Sequence, residues 1–119
     1  MDIIEKRIGQ RADIIKRATA FAKGLDFSVS AFLIGSYSRG DFNLWSDIDI
    51  VMISDFKGNL IERLKRLDFP SGYEIIPLTF DEFRNMLLKK NPICVELKSF
   101  GVLLRDDLGV AEYISKLKQ

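Results

Sequence analysis

Histidine is absent from this 119-residue sequence, and cysteine occurs once, at Cys94. Without histidine, Ser-His-Asp and Cys-His chemistry are excluded. A structural zinc site also lacks its usual ligands. The lone cysteine permits no internal disulfide. It stands among apolar residues in PICVEL and, with no base to activate it, reads as a buried structural thiol. Long hydrophobic runs are missing as well: none approaches the ~20 residues that span a bilayer. The charged start MDIIEKRIGQ has no apolar signal-peptide region, so a cytoplasmic, reducing location is expected. Neither sign of charge dominates. Eighteen Lys and Arg against 17 Asp and Glu leave a net charge of +1, and no basic block offers a strong nucleic-acid signal. The densest basic cluster, Arg63, Lys65 and Arg66, is interrupted by Leu64 and reads as a solvated helix face. Any chemistry must therefore rest on carboxylates, Lys, Arg, Ser or a hard metal ion.

What is present is an ordinary globular balance, 47% hydrophobic and 29% charged, which argues against disorder. The length suggests one domain, residues 1–119, able to bury roughly two-thirds of the surface its unfolded chain exposes. Ile4, Ile8, Ala12, Ile15, Ala18 and Ala22 follow a 3.6-residue period and predict a helix over about 2–23, with Asp2 as its cap and Gly24 as its stop. Strands are expected at FSVSAFLIG (27–35), DIDIVMIS (47–54) and YEIIPLT (73–79), where Pro77 marks an end or an edge. Helices are expected at NLIERLKRL (59–67), at FDEFRNMLLKK (80–90) with Thr79 or Asp81 as cap, and from Asn91–Pro92 to about Phe100. VLLRD (102–106) reads as a short last strand and LGVAEYISKLKQ as a closing helix. This order predicts an α/β (α+β) domain: a small mixed sheet with helices packed mainly on one face.

Two aspartates, Asp47 and Asp49, head the second strand. Residues i and i+2 share a face, about 6.5–7 Å apart along the strand, so both carboxylates converge while Ile48, Ile50 and Met52 point to the core. Two anions so close need a compensating cation, and Mg²⁺ is the hard ion that also bridges to nucleotide phosphates. The pair alone is equally compatible with two solvated aspartates. Gly35 and Ser36 open a turn where backbone and hydroxyl donors can meet phosphate. Glu74 opens the third strand; if that strand lies beside the second, its carboxylate joins the pair, completing a second metal site or taking a proton.

Ten residues separate Ser36 from Asp47, so the stretch reads G-S-x10-D-x-D. With SRGDFNLWSDIDIVM around it, it strongly resembles the nucleotidyltransferase superfamily related to DNA polymerase beta, and within it the minimal nucleotidyltransferase (MNT) group. The likeness spans about residues 28–105, with YEIIPLTFDEF and SFGVLLRD as weaker support. The resemblance implies the nucleotidyltransferase fold. It assigns Gly35 and Ser36 to a nucleoside triphosphate, and Asp47 and Asp49 to divalent metal. Glu74 falls where the family places a third acid, most often aspartate, and is one methylene longer. Arg39 matches the arginine of S-x-R-G; it either contacts phosphate or braces the loop against Asp41. Phe42 and Trp45 are expected to pack in the connection, with base stacking a second use for Trp45.

The implied activity is nucleotidyl transfer. Two Mg²⁺ ions held by Asp47 and Asp49, with Glu74 at the one nearer the acceptor, would clamp the α-phosphate of ATP, and an acceptor hydroxyl would displace pyrophosphate. Many MNT proteins pair with a HEPN-domain protein, and in such pairs the MNT partner acts as antitoxin and can transfer AMP to a tyrosine of the toxin. The resemblance thus implies a protein adenylyltransferase with a HEPN-type partner, in a homo- or hetero-oligomer. The alternatives are a non-catalytic antitoxin that neutralises its partner by contact, and transfer to a small molecule or RNA.

Overall fold

The structure is a computed structural model and describes residues 2–117. Helix α1 (Ile3–Lys23) begins where the Asp2 carboxylate accepts the Glu5 N–H, satisfying one of the free donors at a helix start. Strand β1 (Ser30–Ile34) follows, then the short helix α2 (Gly35–Arg39) and strand β2 (Ile48–Ile53). Helix α3 (Leu60–Arg66) and helix α4 (Phe80–Leu88) flank strand β3 (Tyr73–Leu78), and each opens with a capping box, Asn59 with Glu62 and Thr79 with Glu82. Helix α5 (Pro92–Phe100), capped by Asn91, strand β4 (Val102–Asp106) and helix α6 (Val110–Leu117) complete the chain. Apart from α2, which lies in the connection between β1 and β2, these elements were expected from the sequence, with β1 starting three residues later than FSVSAFLIG implies.

The four strands form one mixed sheet in the order β3-β2-β1-β4. β1 runs antiparallel to both neighbours, and β2 pairs with β3 in parallel. Pro77 lies on the edge strand β3, where a missing N–H is tolerated. The helices do not favour one face of the sheet, contrary to the sequence expectation. Ala31, Leu33, Ile48, Ile50 and Met52 face a core closed by Ala18 and Ala22 of α1, with Leu64 of α3 against it. Phe32, Ile34, Val51 and Ile53 face a second core closed by Phe83 of α4, Cys94 and Leu97 of α5, and Val110 and Ile114 of α6. The physical reason was visible in the strands themselves: β1 and most of β2 are apolar at consecutive positions, the pattern of strands buried on both faces.

Arg63, read in the sequence as part of a solvated helix face, and Arg105, not singled out there, both do structural work. Arg63, whose side chain is only 11% exposed, pairs with Glu82 and donates to the Pro77 carbonyl, tying α3 to the start of α4. Arg105 donates to the carbonyls of Ala22, Leu25 and Phe27, closing the turn between α1 and β1. Along α1 only the C-terminal half of the predicted apolar face is used: Ile4 and Ile8 are exposed, while Ala18 and Ala22 are fully buried.

Replacing Arg105 by Ala removes the guanidinium donors from three part-buried carbonyls, of which Ala22 keeps the Leu25 N–H. The variant is expected to lose about 2–4 kcal/mol in urea denaturation. Arg105→Lys should recover only part of this, because an ammonium lacks the planar fork that reaches several acceptors.

Candidate active site

The polar groups gather where β1 ends and β2 begins. Ile34, the last residue of β1, lies opposite Asp49. The chain then turns at Gly35 with φ +82°, a conformation L side chains rarely adopt. A Cβ at Gly35 would fall 2.2 Å from Asp49 Oδ2, so glycine is required both by the turn and by the carboxylate packed against it. Asp49 in turn sits beside Glu74 in the parallel register of β2 and β3. Asp47 directly precedes β2 and is exposed, as is Glu74, whereas Asp49 is half-buried. The strands thus set Asp49 against the Gly35 turn and opposite Glu74, with Asp47 two residues before it at the head of β2.

Electrostatically this cluster is unbalanced. Burial, followed by the negative charges of Glu74, Asp47 and Glu96, pushes the Asp49 carboxyl up from its ordinary value to about 6. Its Oδ1 is buried with no hydrogen-bond partner, a costly state for a carboxylate oxygen. A cation at this oxygen would relieve both the repulsion and the missing partner. Among the described residues no group of three His, Cys, Asp or Glu side chains is gathered closely enough to cage an ion. A Mg²⁺ ion needs only one or two carboxylates from the protein, with water and substrate phosphates for the rest. The donor set is all oxygen, as a hard ion demands, and it fits the group.

Comparison with known proteins identifies the family. The family described as "Nucleotidyltransferase domain" matches residues 13–117. The chain belongs to that family. A candidate nucleotidyltransferase from Sulfolobus solfataricus shares its fold with a TM-score of 0.57 at 20% identity, over 82% of this chain and 84% of that one. A toxin–antitoxin crystallised with AMP-PNP gives 0.57 at 19% identity, over 87% of this chain and 82% of that one. A mutant of the MntA-HpeT toxin–antitoxin gives 0.55 at 15%, again over 87% and 82%. At such identities the structural likeness speaks for the fold alone. No curated protein matches the chain.

In this nucleotidyltransferase domain the loop between α2 and β2 is clamped from α1. Arg7 donates to the carbonyls of Gly40 and Phe42 and lies 4.3 Å from the centre of the Phe42 ring. Arg11 donates to the carbonyls of Tyr37 and Ser38. Phe42 is buried and stacks on Tyr37, as expected of a packing residue. Trp45 is not one: it is 86% exposed, beside Leu44 at 87%. The Asn43 side chain accepts the Trp45 N–H and the Ser46 hydroxyl accepts the Asn43 N–H; that local turn turns Leu44 and Trp45 outward. Arg39 pairs with Asp41, as one expectation had it, but also with Glu96 of α5. Glu96 was not singled out in the sequence. It lies inside an amphipathic helix, and nothing local distinguishes it from a surface acid. Cys94 is buried and its thiol is pushed up by burial, consistent with an inert packing role.

Two predictions follow from Asp49. Its pKa is higher in the folded chain than in the unfolded one, so between about pH 4 and 6 the folded state binds the extra proton and stability falls as pH rises. Asp49→Asn removes this loss: thermal melts of metal-free protein should show the variant more stable than wild type above pH 6, the advantage fading below about pH 4. Gly35→Ala must both adopt a left-handed backbone, costing about 1–2 kcal/mol, and displace the Asp49 carboxylate. Its melting temperature should fall at every pH.

Proposed function

We propose that this domain is an ATP- and Mg²⁺-dependent adenylyltransferase that transfers AMP to a hydroxyl of a partner protein, as an MNT-type antitoxin does to a HEPN-type toxin. The observation that carries the reading is the half-buried Asp49 carboxylate, with an unpartnered oxygen, between Glu74 and the Gly35 turn. In this reading Asp47 and Asp49 hold the cation and Glu74 supports it on the acceptor side. The Gly35–Ser36 turn orients the triphosphate against them. Ser36, half-buried at the start of α2, would offer its hydroxyl to a phosphate oxygen. Bound divalent cations would neutralise the phosphates and make the acceptor hydroxyl easier to deprotonate. The acceptor oxygen then attacks the α-phosphorus, a new P–O bond forms, the bond to pyrophosphate breaks, and AMP stays on the acceptor.

A protein acceptor is supported by two observations. The fold is shared with toxin–antitoxin proteins, one of them crystallised with AMP-PNP. Leu44 and Trp45 stand exposed on a clamped loop that leads into Asp47, and large exposed apolar side chains on a rigid support are typical anchors of a protein interface.

Glu74 in place of an aspartate favours one competing reading, an antitoxin that acts by contact alone. Labelled ATP, Mg²⁺ and a co-purified partner separate the two. Wild type should label the partner, and Asp49→Ala should lower the rate by more than about 100-fold, beyond the cost of losing a supporting contact to a metal ligand. Absence of labelling by wild type, with neutralisation intact in an Asp47→Ala, Asp49→Ala double variant, would support contact alone. Trp45→Ala should weaken partner binding by about 30-fold, as expected of an aromatic anchor, without altering nucleotide affinity.

A further inference from the structure

Glu96 lies 61 residues along the chain from Gly35, yet its Oε1 accepts the Gly35 N–H at 3.1 Å. The same oxygen pairs with Nη1 of Arg39. Gly35 and Arg39 are the first and last residues of α2, so one carboxylate oxygen holds both ends of the segment that contains Ser36. Glu96 is itself fixed. Its neighbours on α5, Cys94 and Leu97, are buried in the second core, and Asn91 and Pro92 set the start of that helix. The contact reaches the acidic cluster too, because Gly35 is packed directly against Asp49.

The choice of an acid here needs explaining. A glutamine would accept the Gly35 N–H equally well, without adding a fourth negative charge beside Asp47, Asp49 and Glu74. What glutamate adds is the ion pair with Arg39, and a charge-assisted hydrogen bond is about twice as strong as a neutral one. Arg39 is fastened on its other side to Asp41 by 3.2 Å. Its guanidinium is thus shared between two carboxylates.

We propose that Glu96 is the positioning residue of the nucleotide turn, setting Gly35–Ser36 against Asp49 through the Gly35 N–H and through Arg39, which braces the turn and does not bind phosphate. This rests on the nucleotidyl-transfer reading for its consequence, but the positioning itself is a property of the free chain.

The test compares Glu96→Gln, Glu96→Ala and Arg39→Gln with wild type in two measurements. The first is amide hydrogen exchange at Gly35 and Ser36, by NMR on protein free of metal and nucleotide. The second is Mg²⁺-dependent binding of AMP-PNP by titration calorimetry. Glu96→Ala should speed exchange at Gly35 about tenfold or more and weaken AMP-PNP binding by a similar factor, while exchange in β2 is unchanged. Glu96→Gln and Arg39→Gln should each give a smaller effect, and their combination no more than the larger of the two. If Glu96→Ala does not fold, the two glutamine variants and their combination decide. Unchanged exchange at Gly35, or wild-type affinity in the variants, would overturn the proposal. So would additive loss in the double variant, which would return Arg39 to the phosphate. If wild type fails to bind AMP-PNP, the functional reading falls, and the exchange data still decide what Glu96 does.

Discussion

The arrangement depends on one close approach, the Asp49 carboxylate against the Gly35 backbone. It requires a residue without a Cβ at 35, and it requires β1 and β2 to pair in the register that sets Ile34 opposite Asp49. A one-residue slip would turn Asp49 toward the first core and take Val51 and Ile53 out of the second, disrupting the apolar packing on both faces. The hydrophobic effect along β2 therefore holds a repelling group of acids in place. The fold can carry that repulsion because Asp47 and Glu74 stay in water and only Asp49 is half-buried.

The layering explains why the acids lie at an opening. Val51 and Ile53, on the same face of β2 as Asp49, are fully buried under the α4, α5 and α6 layer. Exposure rises toward the start of the strand, through Asp49 to Asp47. One face of one strand thus passes from dry core to solvent within a few residues. At the boundary a carboxylate is desolvated enough to be electrostatically strong and open enough to meet a ligand. The α1 arginines, Arg7 and Arg11, hold the connecting loop from the far side of the sheet, so the opening is bounded by fixed elements.

Much of this was legible in the sequence, and what was not has physical reasons. Asp47, Asp49, Glu74, Gly35 and Ser36 could be brought together on paper because the strand period is two and G-S-x10-D-x-D is specific. Capping by Asp2, Thr79 and Asn91 followed from local chemistry. The second helical layer was missed because amphipathic periodicity tells which side of a helix is buried, not against which face of the sheet. Glu96 and Arg63 were missed for a related reason: a charge on a helix looks solvated until a distant element supplies its partner. Trp45, expected to pack in the connection with base stacking as a second use, stands exposed, and the Asn43–Ser46 hydrogen bonds of its turn are not encoded by hydrophobicity.

In the proposed reading, a member of the nucleotidyltransferase domain family uses Asp49 to hold a metal–nucleotide pair and the exposed Leu44 and Trp45 to dock a partner. The central claim is that the Asp47–Asp49 pair and the Gly35–Ser36 turn are two sides of one metal–triphosphate site. A crystal structure of the chain with Mg²⁺ and AMP-PNP tests it most directly. The account predicts an ion about 2.1 Å from oxygens of both Asp47 and Asp49, including the Oδ1 that otherwise has no partner, with phosphate oxygens at Gly35 and Ser36. Nucleotide bound elsewhere, with Asp47 and Asp49 coordinating no ion, would contradict it.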